Sequence, residues 1–210
     1  MHIVDGVLAT PVIVAGTALT IAGVARGLKD LDFERIPAAG VLSATFFVAA
    51  LIHVPVGPSN VHLLLNGLVG LVLGWAAFPA LFIALLLQAV FFGFGGVTVL
   101  GVNTLALAGP AVLVHYLCRR GVRSARAPIA SVWGAFGGGV AILFTVGIVA
   151  LALALSGEHY WPAAQLILLA HLPVIVVEAL LCAAAVTLVR LVKPELFGLP
   201  TGAIARNLDG

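Results

Sequence analysis

The 210-residue chain is 62% hydrophobic and only 9% charged, with a formal net charge of +2. Because soluble domains carry about 25% charged residues, this composition excludes an ordinary soluble protein and predicts a multi-pass protein embedded in a lipid bilayer. The basic residues are spread over short loops rather than gathered in one patch, so nothing indicates nucleic-acid binding.

The chain begins with the hexapeptide Met1 to Gly6 and has no Lys or Arg before Arg26. It lacks the basic segment and the small-residue cleavage site of a signal peptide, so we expect it to remain in the mature protein. The Met1 amine, the His2 amide and the His2 ring could close two fused chelate rings in one plane around a metal ion. Ni(II) and Cu(II) prefer this geometry. The alternative is that His2 is an ordinary residue at a frayed terminus.

Seven apolar runs follow, and each is read as a transmembrane helix. The third and fourth are short for a full crossing, and the Pro and Gly residues of positions 55–60 predict a turn before the third. The predicted runs are Val7–Val24, Ala38–Val54, Val61–Leu73, Ala80–Phe92, Val97–Cys118, Ile129–Leu155 and Ala164–Val189.

The loop charges predict the orientation of these seven helices. With seven crossings, all 10 Lys and Arg residues fall on one side of the membrane, and adding or removing one crossing would scatter them. By the positive-inside rule this side is cytoplasmic. The sequence therefore predicts an all-α membrane protein of one domain, residues 1–210. Its N-terminus lies outside, and its tail, residues 190–210, lies in the cytoplasm.

Two further histidines fall toward the outer half of the bilayer in this topology. His53 ends the second run and His62 begins the third, with Asn66 predicted one helical turn from His62 on the same face. Together with the N-terminal arm, these imidazoles have the composition of a metal site. The alternative is that both histidines lie at the membrane interface and bond to backbone carbonyls.

Polar residues inside the later runs are expected to face the helix bundle. His171 and Glu178 are seven residues apart in the seventh run and therefore share a helix face. A carboxylate in lipid costs roughly 2.5–3.5 kcal/mol, so Glu178 should have a partner. A proton relay, a role behind the metal ligands and a structural pairing all stay open for these two residues. Gln88 and Asn103 are expected to form hydrogen bonds between helices.

Four stretches together resemble the cobalt/nickel substrate-specific (S) components of energy-coupling-factor transporters, the CbiM/NikM family. They are Met1-His2-Ile3-Val4-Asp5-Gly6, Pro58 to Gly74, Gly93 to Asn103, and His171-Leu172-Pro173 running to Glu178. The resemblance implies a seven-helix fold with the N-terminus inserted in the metal pocket. It also implies four nitrogen ligands, from the Met1 amine, the His2 amide and ring, and the His62 ring.

The resemblance further implies a substrate-capturing subunit of an ATP-driven uptake transporter in a bacterial or archaeal cell membrane. Ni²⁺ or Co²⁺ would be the transported substrate, and the chain itself would not be an enzyme. Its implied partners are a transmembrane scaffold (T) component, two ATPase subunits and a small accessory membrane subunit. The sequence contains no G-x-x-x-x-G-K-[ST] motif, so a P-loop for ATP is absent from it.

Two other functions remain open from the sequence. The chain could be a stand-alone, proton-coupled cation carrier or channel that uses His171 and Glu178 as a relay. It could also be a structural or assembly subunit. His53, Asn66, Asn103, His171 and Glu178 are the residues we expect behind the metal ligands or along an ion pathway.

Overall fold

The computed structural model describes residues 3–56, 59–124 and 126–200, and for residues 53–62 it describes the backbone alone. This part of the chain forms eight α-helices and one antiparallel hairpin. They are α1 Thr10–Lys29, α2 Ile36–Ala49, β1 His53–Val56, β2 Ser59–His62, α3 Asn66–Leu73, α4 Ala77–Phe92, α5 Leu100–Val122, α6 Ala127–Ser156, α7 Trp161–Ala170 and α8 Leu172–Val192. Short 3₁₀ turns cover Phe33–Arg35, Gly74–Ala76, Glu158–Tyr160 and Pro194–Phe197.

The bundle has two chemically different ends. We call one the arm end, where residues 3–9 meet the start of α5 and the end of α6; there the Ala9 N–H donates to Ser156 Oγ at 3.0 Å. We call the other the basic end, where α1, α5 and α8 finish. Arg35 Nη2 donates to the Val72 carbonyl there at 2.7 Å, and Arg190 donates to the Val122 carbonyl. Every Lys and Arg among the described residues belongs to this end.

The apolar stretch Asn66–Phe92 changes direction at Gly74, where φ is +58°. Going along α3, Gly70 lies against Ala111 and Gly74 against His115, so α3 runs parallel to α5. Since α4 is joined to α5 by a short loop and packs antiparallel to it, α3 and α4 run in opposite directions. This stretch is therefore two passages of the chain between the two ends.

In the described part of the chain, seven passages connect the two ends, as the sequence predicted. They are α1, α2, the hairpin with α3, α4, α5, α6, and α7 with α8. By length and composition, five helical stretches of the described chain could each cross a membrane. They are Thr10–Lys29, Asn66–Phe92, Leu100–Val122, Ala127–Ser156 and Leu172–Val192.

Three predicted helices differ from the structure. The second run was expected to reach Val54, but its helix ends at Ala49 and His53 begins β1. The third run was expected to be helical from Val61, but residues 59–62 form β2 and the helix begins only at Asn66. His62 and Asn66 therefore do not share a helix face, because the chain between them is not helical and is held by a side chain from α8. The seventh run is divided at His171 into α7 and α8, with Pro173 in the first turn of the second helix.

Helix α3 lies at the centre of the bundle, and all eight of its residues are buried. Glycine makes this packing possible: a Cβ at Gly70 would collide with the backbone of Ala111 on α5. Small residues at helix contacts let backbones approach closely in membranes. The segment that leads into α3 is therefore enclosed by α5, α6 and α8, which positions the site described next.

Candidate metal site at the arm end

The N-terminal arm is fixed inside the bundle by one amide side chain. The Ile3 N–H donates to Asn103 Oδ1 at 3.1 Å, and Asn103 Nδ2 donates to the Ile3 carbonyl at 3.0 Å. Both residues are buried. Asn103 was expected to bond between helices, but it bonds the arm instead. Because Ile3 directly follows His2, this reciprocal pair fixes the chain next to the predicted chelate.

A second attachment holds the arm two residues later. The Asp5 N–H donates to the Gly95 carbonyl at 3.1 Å. In return, Asp5 Oδ1 accepts from the backbone N–H of Thr98 at 3.2 Å and from the Thr98 hydroxyl. The arm is thus joined to the loop before α5 by backbone and side chain together, which limits its movement at the arm end.

Glu178 on α8 holds the segment that joins β2 to α3. Its Oε1 accepts from the Leu64 N–H, and both carboxylate oxygens lie 3.0 Å from the Leu65 nitrogen. Only 1% of Glu178 is exposed, so the prediction that it faces the bundle with a partner is confirmed. Leu65 has a left-handed backbone, with φ at +49°. Non-glycine residues rarely adopt this conformation, and here the carboxylate supports it.

Asn66, the first residue of α3, connects this segment to the helix that holds the arm. Its Nδ2 donates to the Leu107 carbonyl at 3.0 Å and to Thr145 Oγ1 at 2.9 Å. Leu107 lies one turn beyond Asn103 on α5, so the two attachment points are about 6 Å apart along one helix face. The chain that follows His2 and the chain that follows His62 are therefore held beside each other.

The predicted ligands lie at the edge of what the structure describes. Met1 and His2 lie outside the described residues. His62 is the last residue of β2 and His53 the first of β1, and their Cα atoms are partners across the hairpin. Among the described side chains, no three His, Cys, Asp or Glu residues form a group that could hold a metal ion.

His171 and Glu178 are both buried, but they are not bonded to each other in the described part of the molecule. His171 Nδ1 lies 2.8 Å from the carbonyl of Ile167, which is one turn earlier in α7. Both oxygens of Glu178 are directed to Leu64 and Leu65. The geometry therefore gives Glu178 a part in holding the chain near His62, and within the described residues no hydrogen bond joins Glu178 to His171.

Comparison with known proteins decides the family. The model of the cobalt uptake substrate-specific transmembrane region, CbiM, matches residues 2–196. This chain belongs to the CbiM family. It is thus a member of a family of multi-pass membrane proteins for cobalt uptake, and the expected resemblance is confirmed.

Individual CbiM relatives agree with this assignment. A Haemophilus influenzae protein that carries the provisional name of a metal transport protein is 44% identical over 197 residues, which is 93% of this chain and 96% of that protein. The cobalt transport protein CbiM of Sorangium cellulosum is 28% identical over 93% of this chain and 94% of its own length. The crystal structure of a transition metal transporter aligns with this chain over 100% of both chains, with a TM-score of 0.73 and 25% sequence identity.

The sequence did not reveal every residue that holds this CbiM site. Thr145 and Thr98 each bond a site segment, and the backbone N–H groups of Leu64 and Leu65 are the partners of Glu178. Thr145 carried a weak signal as a polar residue inside an apolar run, but nothing in the sequence indicated its partner, which is 79 residues away.

Replacing Glu178 by alanine should lower both the unfolding temperature and the metal affinity. The change leaves two buried N–H groups unpaired, each at a cost of about 1–3 kcal/mol. Glu178→Gln keeps one acceptor oxygen and should have a smaller effect. The measurement is thermal unfolding in detergent together with a metal titration. Thr187→Val is the control, because the Thr187 hydroxyl donates to the Ala183 carbonyl within α8 itself. Equal losses in both variants would contradict a special role for Glu178.

Proposed function

We propose that this chain captures Ni²⁺ or Co²⁺ for uptake, with the Met1 amine, the His2 amide and ring, and the His62 ring as the four ligands. The observation that carries this proposal is the convergence of two segments. Ile3, next to His2, is held by Asn103 of α5. The segment after His62 is held by Glu178, and Asn66 at its end donates to the Leu107 carbonyl, one turn beyond Asn103 on α5. Sites built on rigid helices keep ligands in place more accurately than free loops do.

The chemistry of the donor set suits the proposed substrate. An amine, a deprotonated amide and an imidazole in sequence form two fused rings, and a second imidazole completes a plane of nitrogen ligands. Residues that orient ligands usually contribute 10- to 100-fold to metal affinity. Asn103 and Glu178 would act in this way, by fixing the backbone on which the ligands are carried. His53 and His171 are candidate residues of the pathway along which the ion moves.

Transport in this proposal is driven by other subunits. Fused nickel transport proteins occur among the relatives; one, NikMN of Rhodobacter capsulatus, is 39% identical over 58% of this chain and 38% of its own length. We infer that ATP is hydrolysed by two separate ATPase subunits, coupled through a transmembrane scaffold (T) component, with a small accessory membrane subunit. The present sequence contributes no P-loop, so its own role is capture rather than catalysis.

We infer the orientation from the charges of the basic end. All described Lys and Arg residues lie there, and the positive-inside rule supports a cytoplasmic location for this end and for the tail, residues 190–210. The arm end, with Met1 and His2, then faces outward. Residues 1–210 act as one substrate-binding unit.

Cysteine labelling in intact cells tests this orientation. His159→Cys, at the arm end, should react with a membrane-impermeant maleimide, whereas Arg120→Cys, at the basic end, should react only after the cells are opened. Both positions are exposed, and the native Cys118 and Cys182 are buried, so background labelling should be low. Labelling of position 120 but not of position 159 in intact cells would show that the topology is the reverse of the one proposed.

Reconstituted uptake tests the division of labour. Liposomes that contain this chain, the scaffold and both ATPases should accumulate ⁶³Ni²⁺ or ⁵⁷Co²⁺ only when ATP is enclosed with the ATPases. Liposomes with this chain alone should bind metal but not accumulate it. Accumulation by the chain alone, dependent on a proton gradient and lost in His171→Ala, would instead support the stand-alone carrier.

A further inference from the structure

A cavity of ≈ 450 Å³ opens at the basic end, on the opposite end of the bundle from the arm. It lies between the ends of α3 and α5 and the turn Pro194–Phe197. Its charged and titratable lining residues are Glu34, Arg35, His115, Arg119, Arg123 and Glu195. Three guanidinium groups in one cavity are unusual in a chain with so few charges, and the proposed metal capture does not use them.

The charge inside this cavity is net positive. Arg35 donates to the Val72 carbonyl and Arg123 Nε donates to the Phe197 carbonyl at 2.6 Å, so both are positioned by backbone oxygens. Among the described residues, no carboxylate lies within ion-pair distance of Arg35, Arg119 or Arg123. Glu195 is instead paired with Lys193 at 3.6 Å. Glu34 is the remaining opposing charge on the lining, so the cavity favours an anion and repels a metal cation.

Aromatic residues place this cavity at the level of lipid headgroups. Trp75 Nε1 donates to the Tyr116 hydroxyl at 3.1 Å, and the Arg119 guanidinium lies 5.8 Å from the centre of the Tyr116 ring. Trp and Tyr are enriched at membrane–water interfaces, where one end of the side chain is apolar and the other is wet. Lipid phosphates lie at the same depth.

An apolar groove of ≈ 460 Å³ continues from the cavity toward the membrane interior. The two share Glu34, Val72, Glu195 and Leu196. Beyond them the groove is lined mainly by apolar side chains of α2, α3 and α8, namely Pro37, Ala38, Val41, Leu42, Leu68 and Val189. A cationic cavity that opens into an apolar groove matches a ligand with an anionic head and a hydrocarbon tail.

We propose that the cavity and groove bind one anionic phospholipid, with the phosphodiester among Arg35, Arg119 and Arg123 and an acyl chain in the groove between α2 and α8. Guanidinium groups match phosphate oxygens in geometry as well as in charge. Basic pockets between transmembrane helices on the cytoplasmic side are known to hold lipid headgroups. The proposal does not depend on the metal ligands.

Native mass spectrometry and thermal unfolding of the purified chain in detergent test this proposal, with phosphatidylglycerol and phosphatidylcholine as probes. The parent should retain phosphatidylglycerol in preference to phosphatidylcholine, and phosphatidylglycerol should raise its unfolding temperature. Arg119→Gln should weaken phosphatidylglycerol binding about fivefold. Arg119→Lys should keep most of the affinity. Arg120→Gln, which removes the same charge from the neighbouring exposed position outside the cavity, should bind as the parent does.

Two further measurements distinguish a lipid phosphate from a free phosphate as the bound anion. Val41→Trp, at an exposed position in the groove, should weaken phosphatidylglycerol binding because its ring occupies the space of the acyl chain. Inorganic phosphate at the same concentration should bind more weakly than the lipid, since it has no chain. Bound metal per chain should be unchanged in all these variants, which shows that they are folded.

Several results would overturn the proposal. One is equal binding of both lipids; another is an equal loss in Arg119→Gln and Arg120→Gln. Inorganic phosphate that matches the lipid, with Val41→Trp without effect, would show a site for a free anion. If no lipid is retained and Arg119→Gln prevents assembly with the scaffold subunit, the surface belongs to a protein partner.

Discussion

His62→Ala should lose tight binding of Ni²⁺ and Co²⁺, with an affinity loss well beyond 100-fold. The change removes one of the four proposed nitrogen ligands, whereas losing a residue that only orients a ligand costs roughly 10- to 100-fold. The backbone of the hairpin and the bonds from Glu178 to Leu64 and Leu65 do not involve this imidazole, so the fold should persist. Calorimetric titration and metal content per purified chain measure the effect.

His159→Ala is the matched control for this prediction. It removes an exposed imidazole from the same arm end, in the turn between α6 and α7, and should leave the affinity unchanged. His53→Ala, at the position opposite His62 in the hairpin, should have a smaller effect than His62→Ala. If His62→Ala and His159→Ala bind metal equally well, His62 is not a ligand.

Asn103→Ala should weaken metal binding by about 10- to 100-fold and also destabilise the protein. It leaves the buried N–H and carbonyl of Ile3 without partners, at a cost of about 1–3 kcal/mol for each unpaired group. Asn103→Asp keeps an acceptor for the Ile3 N–H but loses the donor to the Ile3 carbonyl, so its effect should be intermediate. Metal titration and thermal unfolding with and without metal would measure both losses.

Thr104→Val provides the comparison for Asn103. Thr104 is the next residue on α5 and is also buried, but its hydroxyl donates to the Leu100 carbonyl in its own helix. This variant should lose little metal affinity. If Asn103→Ala lowers the unfolding temperature without changing the affinity, then the attachment of the arm supports the fold but not the site.

Hydropathy and loop charge were sufficient to predict the number of passages and the gathering of the basic residues at one end. Both signals are local in the sequence, because each apolar run must by itself be apolar enough for the hydrocarbon core of the membrane. The helical start predicted for the third passage was wrong, because it depends on a distant partner. The non-helical segment before Asn66 is stabilised by Glu178, whose bonds to Leu64 and Leu65 span 114 and 113 residues. No local pattern in the sequence indicates such a partner.

The candidate site shows the same limit. Burial of Glu178 followed from the cost of a carboxylate in lipid, but its partners did not. Asn103 was recognised as a polar residue within an apolar run, yet its bond to Ile3, 100 residues earlier, needed the folded chain. The sequence indicated which residues have a role, and the structure showed that they hold two distant segments together.

Acetylation of the Met1 amine is the most direct measurement of the proposed chelate. It keeps every side chain and the bonds of Ile3 to Asn103, but it removes the amine as a nitrogen donor and so opens one of the two fused chelate rings. Mass analysis first confirms that the acetyl group is on Met1, and calorimetry then compares the parent and the acetylated protein at neutral pH and in acid. We predict that the parent binds tightly, that acid weakens its binding as protons compete for the nitrogens, and that the acetylated protein loses tight binding. An acetylated protein that binds Ni²⁺ or Co²⁺ as tightly as the parent would contradict the account.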